Sequence, residues 1–76
     1  MSVELRVPQL GMGMTEGRLV EWLVQDGAQV AEGTPVYSIE SDKSVQDIEA
    51  PAGGVLRIIA APDATYEVGT LLGEIG

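Results

Sequence analysis

The chain has one lysine, Lys43, and it lies within Glu40-Ser41-Asp42-Lys43-Ser44, between two segments rich in β-branched residues. A lone side-chain amine can form an imine or an amide with a carbonyl group. Imine catalysis requires desolvation or a neighbouring cation to bring a lysine down from its ordinary pKa of about 10.4. Here Glu40, Asp42, Asp47 and Glu49 are expected to surround the amine with negative charge, which stabilises the ammonium form. Such an amine is a poor nucleophile by itself and suits acylation by a visiting enzyme that deprotonates it. The competing reading is an ordinary solvated lysine, the commonest fate of that residue.

The rest of the composition removes most other chemistry. With no Cys and no His, the side chains can build neither a thiolate nucleophile, nor a Ser-His relay, nor a conventional zinc site. No metal site and no self-contained enzyme is expected, so any hard chemistry must be imported. Four Lys and Arg against twelve Asp and Glu leave a formal charge of −8, which repels phosphate backbones and anionic lipid headgroups. Neither nucleic acid nor a membrane surface is an expected partner. Seventy-six residues suffice for a single domain, 1–76, with a thin core. The absence of cysteine fits a reducing compartment. The first residues show neither a signal peptide nor a spanning helix, so a soluble chain is expected.

The elements that must position the lysine are strands. Val3-x-Leu5-x-Val7 alternates with period two, and the runs from Leu19 to Val24, Val36 to Ile39 and Val55 to Ala60 are aliphatic and β-branched. Ten glycines and four prolines break the runs at Asp26-Gly27, Ala52-Gly53-Gly54 and Ala61-Pro62-Asp63. No helical period is sustained, and the pattern predicts a sandwich or flattened barrel. Val36 to Ser41 and Ser44 to Glu49 are expected to pair as a hairpin with Asp42 and Lys43 central in a type I turn, because Lys tolerates positive φ poorly.

The chain also repeats itself. Gly17, Ala28, Gly33, Thr34 and Ile39 recur 36 positions later as Gly53, Ala64, Gly69, Thr70 and Ile75, and at the same offset Leu19 matches Val55 and Val20 matches Leu56. Two similar halves about a pseudo-two-fold axis are expected, with the Lys43 turn and the C-terminus at opposite ends. Trp22 is assigned to the core, and Glu21, Glu32, Glu67 and Glu74 to solvated faces.

Taken together, these features make the chain resemble a lipoyl domain of the dihydrolipoyl acyltransferase component of 2-oxo acid dehydrogenase complexes. Pro8-Gln9-Leu10-Gly11-Met12-Gly13-Met14-Thr15-Glu16-Gly17 looks like the family's first loop. Glu40, Asp42 and Lys43 match its lipoylation turn, and Glu49-Ala50-Pro51-Ala52-Gly53-Gly54-Val55-Leu56 resembles the segment that follows. Ser44 stands where the family usually has Ala. Gly27-Ala28 and Asp63-Ala64 depart from the family's usual Gly-Asp, which predicts looser loops there.

The resemblance implies a flattened β-barrel of two four-stranded antiparallel sheets with Lys43 at a hairpin tip, carrying lipoic acid as a covalent lipoamide. Modification would move the formal charge from −8 to about −9, since an amide is neutral. It implies a swinging arm that shuttles acyl groups and reducing equivalents. The implied partners are a lipoate-attaching ligase or transferase, a thiamin-dependent decarboxylase, the acyltransferase core and dihydrolipoyl dehydrogenase, in the bacterial cytoplasm or, in a eukaryote, the mitochondrial matrix. The isolated domain is expected to be monomeric and non-catalytic. Recognition is expected from Glu40, Ser41, Asp42 and Ser44, and from a loop including Leu10, Gly11, Met12 and Met14 beside the hairpin. Met12 and Met14 either offer soft contact to a partner or fill the core. The alternatives are a biotin carrier, disfavoured because Asp42 and Ser44 replace the methionines that flank a biotinyl lysine, and an unmodified binding module of the same fold.

Overall fold

A computed structural model of the chain describes residues 2–41 and 44–76. Its elements are β1 (Val3–Arg6), β2 (Glu16–Trp22), β3 (Gln29–Val30), β4 (Pro35–Glu40), β5 (Val45–Glu49), β6 (Gly54–Ile58), β7 (Ala64–Glu67) and β8 (Leu71–Ile75). All ladders are antiparallel, and they form two four-stranded sheets of order β1-β8-β6-β3 and β5-β4-β2-β7. No strand ladder joins the sheets among the described residues, so the molecule is a flattened sandwich and not a continuously bonded barrel. The two-residue β3 and the short β7 carry too little periodicity to stand out in the sequence.

Neither sheet can bury its apolar face alone, and each covers the other. Leu19, Val36 and Ile39 from one sheet and Leu56, Leu72 and Ile75 from the other are at most 1% exposed. Burying such a side chain stabilises the fold by about 1.5–3 kcal/mol. Trp22 packs against this cluster as expected. Its ring centroid lies 5.3 Å from that of Tyr37, and its indole N–H donates to the Ala60 carbonyl at 3.0 Å. The buried Tyr37 hydroxyl donates to the Arg6 carbonyl at 3.0 Å, which joins the two sheets through a side chain.

The internal repeat is present in the topology. Exchanging β5 with β1, β4 with β8, β2 with β6 and β7 with β3 converts one sheet order into the other. Backbone conformation follows the exchange: Gly27 (φ 85°) matches Asp63 (φ 62°), and Gly33 (φ 88°) matches Gly69 (φ 92°). The offset, however, is not constant. A bulge between Leu19 and Glu21 adds a residue to β2. Leu19 pairs with Ile39 as Leu56 pairs with Ile75, so Leu19 matches Leu56, not Val55. Gly17 likewise matches Gly54, not Gly53; a Cβ on Gly17 would meet Ile39 Cγ2 at 3.0 Å, and one on Gly54 would meet Ile75 Cγ2 at 2.9 Å. The edge strands repeat at a third offset. Gly33 N–H donates to Ala50 at 2.9 Å as Gly69 N–H donates to Val7 at 3.0 Å. By this matching, the β4–β5 connection corresponds to the place in the other sheet where the chain's two ends lie side by side, Val3 paired with Ile75.

The loops expected to be looser are held by hydrogen bonds. Gly27 N–H donates to Leu56 at 2.7 Å, Asp63 N–H donates to Leu19 at 2.7 Å, and Asp26 Oδ1 accepts from Ile58 N–H at 2.8 Å.

A Cβ on Gly73 would sit 2.7 Å from the Arg57 carbonyl oxygen and 3.1 Å from the Trp22 ring, whereas one on Gly11 meets nothing within 4 Å. Gly73→Ala is expected to destabilise by about 1–3 kcal/mol in urea denaturation, and Gly11→Ala to change stability by less than about 0.5 kcal/mol. Burial also pushes the Tyr37 phenol from 10.0 up to about 12. The folded state therefore favours the neutral phenol, and above the ordinary tyrosine value the unfolded chain binds fewer protons than the folded one. This contribution is complete below pH 10.0 and is lost as pH rises through about 12. Tyr37→Phe should flatten the fall in stability across that window, measured by denaturation at a series of alkaline pH values.

Candidate functional site

The β4–β5 hairpin is built from the core outward. Ile39, with no exposed surface, pairs with Gln46, and the ladder continues through Glu40 and Val45. Beyond it, Ser41 N–H donates to the Ser44 carbonyl at 2.8 Å and Ser41 Oγ to the same oxygen at 3.3 Å. Two residues remain between Ser41 and Ser44. They are Asp42 and Lys43, and both lie outside the described residues, as does the expected turn type. Glu40, Ser44 and Val45 are exposed and Ser41 is half-buried.

Open depressions flank the hairpin on both sides. One, of about 460 Å³, is walled by the 10–16 loop and by Ser41 and Ser44. Leu10, Gly11, Met12 and Met14 are thus gathered beside the hairpin residues. The loop is organised by Gln9, whose side-chain amide donates to the Gly11 and Met14 carbonyls at 2.6 and 2.9 Å. The two methionines divide between their alternatives. Met12 is fully exposed, whereas Met14 packs against the core and accepts the Leu10 N–H on its sulfur at 3.3 Å. Gly17 makes this possible, because the space its Cβ would take is occupied by Met14 Cε, Ile39 Cγ2 and Val7 Cγ1.

The second depression, of about 560 Å³, lies over Arg18, Glu40, Ser41, Ser44 and Val45. Arg18 is the residue that sequence reasoning missed. It stands opposite Glu40 in the β2–β4 ladder, with Nη1 3.8 Å from Glu40 Oε1, and its Nη2 hydrogen-bonds Asp63 Oδ1. Its scarcity was a usable signal, since the chain has only four basic residues, but its neighbour depends on strand register.

The acidic surround needs correction. Glu40 does lie at the base of the turn, but Glu49 pairs with Pro35 at the far end of the ladder, and Asp47 Oδ1 accepts the hydroxyl of the buried Ser38 at 2.8 Å. The reason is the extended strand, in which each residue advances about 3.3 Å away from the turn. What the hairpin has instead is an acidic sheet. Its four strands carry Glu16, Glu21, Glu40, Asp47, Glu49 and Glu67 against Arg18 alone, whereas the strands of the other sheet balance Glu4 and Glu74 with Arg6 and Arg57. Among the described residues no acidic or metal-ligating cluster could hold a metal ion, and no helix is long and apolar enough to cross a membrane.

Comparison with known proteins matches residues 3–75 to the family described as Biotin-requiring enzyme. The dihydrolipoyllysine-residue acetyltransferase component of an acetoin cleaving system from Pseudomonas putida is 44% identical over 72 residues, covering 93% of this chain and 20% of the relative. The dihydrolipoyllysine-residue succinyltransferase component of a 2-oxoglutarate dehydrogenase complex from Bartonella vinsonii is 38% identical over 76 residues, covering 99% of the chain and 18% of the relative. The acetyltransferase component of a pyruvate dehydrogenase complex from Zymomonas mobilis is 35% identical over 68 residues, 90% of the chain and 16% of the relative. The chain therefore spans a fifth or less of the length of these relatives.

The division of the methionines is testable. Met14→Ala should cost about 1–2 kcal/mol by removing half-buried packing at Ile39 and Val7, and Met12→Ala should leave stability within about 0.5 kcal/mol, both read from urea midpoints.

Proposed function

Because the chain belongs to the family described as Biotin-requiring enzyme, we propose that residues 1–76 form one lipoyl carrier domain, with Lys43 as the lipoylation site. Its arm would carry acyl groups and reducing equivalents among the decarboxylase, acyltransferase and dihydrolipoyl dehydrogenase of a 2-oxo acid or acetoin dehydrogenase complex. The observation that carries the proposal is the Ser41–Ser44 closure of an exposed hairpin, which leaves two positions for the chain's sole lysine and its aspartate neighbour. The relatives named above, all acyltransferase components, support the same reading.

The donor set fits the group. An amide-linked carboxylic cofactor needs one accessible primary amine and no ligating side chains, and this chain offers one lysine and neither His nor Cys. When bound, lipoamide supplies a cyclic disulfide whose ring holds the dihedral away from the favoured 90° or so, making it readily opened. The protein's own part is to hold the amide at the hairpin, to present Glu40, Ser41, Asp42 and Ser44 to the attaching enzyme, and to offer Met12 with Leu10 and Gly11 to the decarboxylase. Attachment to a larger acyltransferase raises the effective concentration at each active site to the order of mM. No reaction is assigned to the domain itself, which acts as a monomeric module in the bacterial cytoplasm.

Biotin attachment is the second reading, supported by the description of the matching family. Asp42 and Ser44 on either side of the lysine weigh against it. Intact mass of the chain expressed with lipoate and biotin both available separates the two. The expected result is an addition the size of a lipoyl group that Lys43→Arg abolishes while stability stays within about 0.5 kcal/mol. A biotin-sized addition, or none, overturns the proposal.

A further inference from the structure

We infer that Arg18 is a positioning residue for the hairpin: it ties Glu40 to the body of the sheet and, through Glu40, sets how well an attaching enzyme engages the turn. The inference rests on the proposed modification of Lys43. Arg18 faces Glu40 across one ladder of β2 and Thr65 across the other. Its guanidinium reaches Glu40 at 3.8 Å and hydrogen-bonds Asp63, a residue whose own backbone is fixed by the 2.7 Å bond to Leu19. One planar fork with five donors thus joins β2, the end of β4 and the corner between β6 and β7.

Stability alone does not account for this arrangement. The side chains of Arg18, Glu40 and Asp63 are 41%, 46% and 75% exposed, and ion pairs so exposed add little to folding. They do restrict rotamers, and a carboxylate already held in place costs less to order when a partner docks. The two halves of the molecule make the same point. Arg18 corresponds to Val55 in the other sheet, since Arg18 pairs with Glu40 as Val55 pairs with Gly76. The fold therefore does not require a cation at this position, and the cation occurs only in the half that bears the hairpin. Arg18 is also the only basic residue in the four strands of that sheet. It lines the same depression as Glu40, Ser41 and Ser44, so an enzyme approaching from that side meets the pair together.

The test is steady-state lipoylation of the 76-residue chain by a lipoate-attaching enzyme, with thermal midpoints measured in parallel. Arg18→Gln is expected to raise KM for the chain by about threefold to fivefold, the range open to an exposed ion pair, with kcat and thermal midpoint unchanged. Arg18→Lys should recover most of the loss. In a Glu40→Gln background, Arg18→Gln should add nothing, because Arg18 acts through Glu40. A wild-type KM in Arg18→Gln, additive losses in the double variant, or a loss confined to kcat and accompanied by a lower midpoint each overturns the role. A wild-type chain that accepts no lipoyl group overturns the modification itself and this inference with it, whereas a loaded wild type beside an indistinguishable Arg18→Gln overturns the Arg18 role alone.

Discussion

The burial of Ile39 pins the strand from which the hairpin extends. Ile39 has no exposed surface and is paired on both sides, with Leu19 in β2 and with Gln46 in β5. Strand side chains alternate between faces, so a slip of one residue would turn Ile39 outward and bring Ser38 or Glu40 into the core. The register of β4 is therefore held by the core, and with it the position at which Ser41 meets Ser44. Met14 uses the same anchor. It lies in the space left by Gly17, against Ile39 and Val7, and so seats the 10–16 loop beside the hairpin.

The internal repeat shows how one fold can be built twice and used once. The two halves share strand order and the conformations of their corners, down to Asp63 adopting the positive φ that glycine takes at position 27. They differ where the bulge in β2 adds a residue, and they differ at the end of the central strands. In one half β4 is joined to β5 beyond the Ser41–Ser44 bond; in the other, β8 and β1 are partners without being joined in this way. The charge follows the same division. Acidic side chains crowd the strands of the hairpin-bearing sheet, while those of the opposite sheet are balanced.

Much of the fold was legible in the residues because its cause is local. Alternation in Val3-x-Leu5-x-Val7, β-branched runs and glycine-rich breaks state that the chain is made of short strands, and they need no knowledge of neighbours. The repeat was legible too, but only approximately. A constant offset pairs Gly17 with Gly53 and Leu19 with Val55, while the pairing of β2 with β4 makes Gly54 and Leu56 the counterparts. A bulge leaves no clear mark in sequence, since the extra Val20 is as good a strand residue as its neighbours.

The residues alone set the inventory: one lysine, no histidine or cysteine, a surplus of acids, and strands short enough to need two sheets for one core. Those are matters of composition and of a period set by backbone geometry. Which groups meet was settled by folding. Register placed Arg18 against Glu40 and moved Glu49 to the far end of its strand, and the missing Cβ of Gly17 let Met14 pack against the core while Met12 stayed in solvent. Contacts between strands depend on how distant segments are aligned, and that alignment is chosen by the burial of the whole core.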